Sequence, residues 1–352
     1  MRHLLYALTL ATVFAFAASC VNDPIVPDSS GSPPPPAGGL WTISGSSSAI
    51  LYFDPAQVRD TVVDATTVIT TPSAALNTLA AVAFDRAGSL WVIGMDDPVL
   101  LAFEPGALAS SGFKSAHTIV VPTAVSLRSP TGLAFDANQR LWVADFSGTL
   151  NRFDVQQIAE GGMQPPRVVV NVGGNASSIA FDAEGSLWVS DNVNNAIRKY
   201  TAEQLATSGS PDPDVVLRST NLSLVNPAGL AFDALGNLWV ANIGGRTLAS
   251  FSPEKLHQTG SPLPDVVITG SEGALAVPVA LAFDAAGSLW VIGGTGALTK
   301  YSRSSLQVSG AAVPALRVQI AERSLFWSIA FWPIPNGLPL GQRFSSPPLP
   351  YP

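Results

Sequence analysis

The chain has 352 residues, 47% of them hydrophobic and only 12% charged, with a formal net charge of −7. That is enough apolar side chain for a large core, so disorder is excluded for most of its length. An acidic, charge-poor surface also excludes nucleic acid, whose phosphates call for clustered Lys and Arg.

The N-terminus predicts export. Arg2 is followed by an apolar run, Leu4 to Ala18, that is short for a membrane span. Small residues Ala17, Ala18 and Ser19 then precede Cys20. Residues 1–19 read as a signal peptide. The ending resembles the lipobox of bacterial lipoproteins, although Ala17 stands where Leu is usual. That resemblance implies lipidation of Cys20, which is the single cysteine and has no disulfide partner within the chain. Two or more acyl chains hold a protein stably at a bilayer. Val21, rather than Asp, follows the cysteine, which by the resemblance favours the outer membrane of the cell envelope. Residues 20–38, rich in Pro, Ser and Gly, form a tether that the prolines at 33–36 stiffen into polyproline II.

One phrase then returns: AVAFDRAGSLWV (81–92), GLAFDANQRLWV (132–143), SIAFDAEGSLWV (178–189), GLAFDALGNLWV (229–240) and ALAFDAAGSLWV (280–291). A sixth copy is split between the ends, with SIAFW at 328–332 and LWTI at 40–43. The repeat tryptophans at 41, 91, 142, 188, 239 and 290 are spaced by 50, 51, 46, 51 and 51 residues. Such periods mark propellers or solenoids.

Each phrase predicts a β-hairpin. The segment x-L-A-F is a short apolar strand, and D-A-x-G supplies the turn, with Asp bonding back to the backbone and Gly taking positive φ. The segment L-W-V is a second strand. A polar loop, a third strand and a short helical turn follow, clearest in SPEKLHQTG (252–260), with Pro253 in the first helical position and Gly260 at the end. A fourth strand such as DVVIT or DVVLR closes the unit. The expected fold is therefore all-β: a six-bladed propeller over 39–333, with four antiparallel strands per blade. The C-terminal SIAFW supplies the innermost strand of the first blade, which closes the ring and removes its free edges. One Trp per blade is expected to fill the wedge between adjacent sheets. Residues 334–352 are a Pro-rich tail.

The phrase G-[LI]-A-F-D-x-x-G-x-L-W-V-A-[DN] resembles NHL-repeat propellers over about residues 40–332. It is also similar to the gluconolactonase-like and virginiamycin B lyase-like families. The resemblance implies the fold. It implies little about activity, because this superfold hosts enzymes, binding modules and scaffolds. In the first enzyme family, axial Glu, Asn and Asp hold a divalent metal near the starts of inner strands. The matching positions here are Thr131–Gly132 and Ala228–Gly229, with Ala80, Ser177, Val279 and Trp327 in the other repeats, all poor ligands. The lyase-like enzymes need a basic His beside a metal. His117 and His257, the two histidines of the mature chain, fall toward blade peripheries.

No G-x-S-x-G, H-E-x-x-H or P-loop occurs. The candidate site is instead the face that carries the inter-blade loops and the loops from second to third strand. Three consecutive blades place Asp145, Asp191 and Asn242 three residues beyond their Trp, and nearby loops add Asp96, Asp97 and Asn194. Such oxygen donors predict a ligand- or cation-binding rim, for which Ca²⁺ is the compatible ion. The bland alternative is that they cap tight turns. The expected protein is a monomeric, membrane-anchored binding scaffold with a protein or glycan partner on the loop face. The alternative is a divergent metal-dependent lactonase- or lyase-like enzyme.

Overall fold

The computed structural model describes residues 38–332 except 46, 60–61, 72–77, 97, 124–126, 220–221, 271–273 and 322–327. The signal peptide, Cys20, most of the tether, Asp97 and the C-terminal tail lie outside the described residues. The described residues form six sheets. Each has the expected order of four antiparallel strands from the axis outward. In blade 3, for example, Pro130–Phe135 is innermost, followed by Leu141–Asp145, Thr149–Phe153 and Val168–Asn171.

The ring closes as the split repeat requires. Ile329–Trp332 pairs antiparallel with Gly39–Ser44, with Leu40 opposite Phe331. Ala49–Phe53 and Thr67–Thr70 complete blade 1. A second closure appears at the rim. Val62–Val63 of blade 1 pairs in parallel with Leu316–Ile320, the fourth strand of blade 6.

That rim pairing recurs around the ring. Gly112–Phe113 adds a parallel fifth strand to blade 1, Gly162–Gln164 to blade 2, and Gly310–Ala312 to blade 5. Blades 3 and 4 receive single parallel bridges from Gly209 and Gly260. The hydroxyl before the glycine caps the next edge amide: Ser208 Oγ accepts from Val169 N at 3.0 Å, and Thr259 Oγ1 from Val216 N at 3.0 Å. Gly260 therefore covers the outer edge of the preceding blade, and the helical turn expected to run to it ends earlier, at Leu256. Covered edges cannot template pairing with another chain.

The repeat tryptophans are all buried. Each meets the repeat Phe of the next blade. Trp142 lies 6.3 Å from Phe181, Trp188 6.1 Å from Phe232, and Trp290 6.1 Å from Phe331. Burying roughly 150–250 Å² per Trp at about 25 cal/mol/Å² is worth ~4–6 kcal/mol as an upper bound.

In five blades the turn Asp holds the Trp. Its Oδ2 accepts the indole N–H, as in Trp91–Asp85 (3.0 Å), Trp142–Asp136 (3.1 Å), Trp188–Asp182 (2.9 Å), Trp239–Asp233 (3.1 Å) and Trp290–Asp284 (2.9 Å). Its Oδ1 accepts the amide four residues on, as in Ser186 N–Asp182 (2.8 Å). One carboxylate thus fixes both the hairpin turn and the wedge between sheets.

Candidate functional site

The two loop sets of the candidate face are bonded to one another. Met95 N donates to Thr78 O, Phe146 N to Ser129 O, and Ile243 N to Asn226 O. The D-x-x-G turns lie at the other end of the strands. There a Cβ on Gly236 would lie 3.4 Å from Pro253 of the helical turn. Gly38 and Trp332, where the chain enters and leaves the propeller, sit on this second face, joined by a 2.7 Å bond from Gly38 N to Trp332 O.

Asp145 and Asp191 end their second strands fully buried. Asp145 Oδ2 accepts the amides of Arg128 (2.7 Å) and Ser129 (2.6 Å), and its Oδ1 accepts Ser147 N (2.9 Å) and Oγ (2.5 Å). Asp191 pairs with Arg198 and accepts from Asn194 N (3.1 Å) and Nδ2 (2.8 Å). Asp145 thus fastens an inter-blade loop and a hairpin loop to the end of its strand, and Asp191 fastens its hairpin loop and Arg198 of the third strand. Asn242 is equally buried, and its Nδ2 donates to Ser223 O at 3.0 Å, whereas its Oδ1 has no partner among the described residues. Asp96 and Asn194 are exposed on their loops. The geometry joins Asp191 to Asn194 and gives Asp145 and Asn242 separate loop anchors in their own blades. Among the described residues no group of three or more His, Cys, Asp or Glu converges to hold a metal. His117 and His257 are exposed at the periphery.

The cavity on this face lies on the axis. Its volume is about 100 Å³, and residues of all six inner strands line it. Among the described residues its side-chain polar groups are the hydroxyls of Thr131, Ser177, Ser178 and Ser328, and none of those lining it is titratable. Thr131 Oγ1 donates to Ala176 O at 2.6 Å. Ser328 Oγ accepts Val82 N at 3.1 Å, and Ser178 Oγ accepts Leu230 N at 3.4 Å. The Ser177 hydroxyl is buried and has no partner among the described residues.

Sequence reasoning passed over these serines because hydroxyls carry no metal-ligand signature. A signal did exist. The position before the aliphatic residue of x-L-A-F varies, as Ala81, Gly132, Ser178, Gly229, Ala280 and Ser328, inside an otherwise constant phrase.

No protein-family model and no curated protein matches the chain. Several solved structures share its fold. A streptogramin B lyase structure aligns with a TM-score of 0.50 at 14% identity over 76% of this chain and 77% of that one. Selenomethionine-substituted virginiamycin B lyase from Staphylococcus aureus aligns with 0.51 at 14% identity, covering 76% and 82%. A catalytically inactive variant of the same enzyme with quinupristin aligns with 0.50 at 15% identity, covering 76% and 81%. At this identity the likeness is one of fold, and the fold is the six-bladed propeller.

Proposed function

We propose that the protein is a lipid-anchored lipoprotein of the bacterial cell envelope whose propeller binds a ligand without chemical conversion. The observation that carries this reading is the disposition of the two faces. Gly38 and Trp332, the first and last described residues, lie on the turn face. A tether from Cys20 is continuous with Gly38 on that face, which points a partner to the loop face and axial mouth. The mouth offers hydroxyls and backbone groups, with no acid, base or thiol among the described residues that line it. Such a lining can recognise a ligand through hydrogen bonds but holds no proton-transfer group.

Metabolic labelling with palmitate tests the anchor. The wild-type chain should take up label and sediment with membranes, and Cys20→Ser should lose the label and become soluble. An unlabelled wild-type protein would overturn the anchored reading.

A further inference from the structure

The innermost strand of any propeller blade has one unpaired edge, and its N–H and C=O groups face the axis. Buried, they need partners. Blades 1 and 4, which are opposite one another in the ring, supply one for each following blade. Ser328 Oγ of blade 1 accepts Val82 N of blade 2 at 3.1 Å and lies 3.5 Å from Val82 O, to which it donates. Ser178 Oγ of blade 4 accepts Leu230 N of blade 5. A hydroxyl suits this place because it donates and accepts at once.

The equivalent residues of the other blades are Leu133, Ile179, Leu281 and Ile329. Their registers match: Val82 lies opposite Val92, Leu133 opposite Val143, Ile179 opposite Val189, and Leu281 opposite Val291. The same register turns the same edge groups to the axis. Their neighbours in the preceding blades are Ala81, Gly132, Gly229 and Ala280, which have no hydroxyl to offer. Leu133, Ile179, Leu281 and Ile329 all line the axial cavity, beside the unpartnered Ser177 hydroxyl.

We propose that the axial mouth binds a small neutral polyhydroxy ligand, such as the terminal sugar of an envelope glycan. Its hydroxyls fill the places that Ser328 and Ser178 fill for two blades. A carboxylate cannot donate to the edge carbonyls, and an ammonium cannot accept from the edge amides. Among the described residues no charged side chain lines the cavity to compensate either. This inference rests on the reading of the protein as a binding propeller and names the ligand class.

The structure also shows where the site can be blocked. A Cβ on Gly132 would sit 3.6 Å from Ile179 N, in ordinary contact, so a serine there can reach that amide. A Cβ on Gly229 would lie 2.8 Å from Ala280 Cα and is not accommodated. Gly132→Ser and Ala280→Ser are therefore the informative variants, and Ser178→Ala opens one more place.

Saturation-transfer NMR on the full mature chain, with glycerol, D-glucose, N-acetylglucosamine, acetate and ethylammonium as probes, tests the proposal. Signal from the neutral sugars is expected, with binding weakened about tenfold by Gly132→Ser and again by Ala280→Ser. Circular dichroism and the melting temperature identify any variant that fails to fold, and either serine variant alone suffices. Three results would overturn the inference: no transfer to any neutral probe, a site occupied by water only; unchanged binding in a folded serine variant; or preference for acetate or ethylammonium. The last would leave a binding propeller with a different ligand. The palmitate experiment is independent of all three.

Discussion

Blade 1 and the other five blades solve the same packing problem with different chemistry. In blades 2 to 6 the buried Trp lends its indole N–H to the turn Asp of its own hairpin. In blade 1 the inner two strands come from opposite ends of the described chain, and Trp332 stands where the other repeats have Asp. Trp41 is wholly buried, and its Nε1 has no partner among the described residues. Trp332 offers apolar area in compensation, with its ring 5.3 Å from Phe84 and its edge over Gly88 of blade 2. A hairpin needs a carboxylate to set its turn, whereas two strands drawn from opposite ends of the described chain do not. The closing blade thus exchanges hydrogen bonds for contact across the seam.

The sharpest way to break this comparison is at Gly88. Its φ is +88°, and an added Cβ would lie 2.7 Å from Trp332 Cζ2. Gly236 has a similar φ of +82° with only Pro253 Cγ at 3.4 Å. Gly236→Ala should cost about 1–2 kcal/mol for the left-handed backbone, and Gly88→Ala a further ~1–3 kcal/mol for displacing the ring, read from urea unfolding. Equal losses would mean that Trp332 does not hold the seam.

Removing the indole N–H comes next. Trp239→Phe and Trp41→Phe lose similar volume, but only the first leaves Asp233 short of a donor. Trp239→Phe should therefore be worse by about 1–3 kcal/mol. A larger loss at Trp41 would mean that its N–H is bonded after all.

A smaller, pH-dependent difference separates two of the blades that keep the Asp. Opposite Trp290 stands Lys300, whose Nζ is 2.9 Å from Asp284 and 4.9 Å from the Trp290 ring centroid. Burial opposes ionisation of Asp284, but the bonds from Trp290 and Lys300 outweigh it and hold the carboxyl below its ordinary value. Opposite Trp91 stands Ala102, and burial pushes Asp85 up despite its hydrogen bonds. The signs are therefore opposed. Asp284 stabilises the fold above the unfolded-state carboxyl value, about pH 4, and that contribution is lost as pH falls through its lower folded value. The contribution of Asp85 is fully present below about pH 4 and is lost as pH rises through its higher folded value. Urea midpoints between pH 3 and 7 should accordingly fall toward acid less steeply in Asp284→Asn than in the wild type. For Asp85→Asn the penalty should shrink as pH rises. Parallel profiles would remove the distinction.

The outer edges serve as the control, because blade 1 resembles the rest there. Ser111 Oγ caps Val68 N at 3.1 Å as Ser208 Oγ caps Val169 N at 3.0 Å. Ser111→Ala and Ser208→Ala should cost the same, at most about 1 kcal/mol each at these exposed sites.

The six blades, the closing strand and the wedge tryptophans were legible in the sequence because the repeat states them six times over. The indole–carboxylate bond was half legible. Asp and Trp stand six residues apart in every full copy, yet the turn role alone seemed to account for Asp85, Asp136, Asp182, Asp233 and Asp284. The rim strands were not legible, since segments as short as Val62–Val63 carry no periodicity and their partners belong to the neighbouring blade. Asp145, Asp191 and Asn242 end the second strands of three consecutive blades. Their burial, and the loops that occupy the two carboxylates, depend on backbone amides that composition does not encode.

The sequence by itself determined the repeat, its count and its closure, because hydrophobic alternation and turn chemistry are local and each copy reinforces the others. Only the tertiary structure decided how each copy meets the next: which glycine covers which edge, which serine reaches which amide, and where Trp332 replaces a carboxylate. Those contacts join residues that are distant along the chain. Ser328 and Val82, 246 positions apart, become partners only when the ring closes.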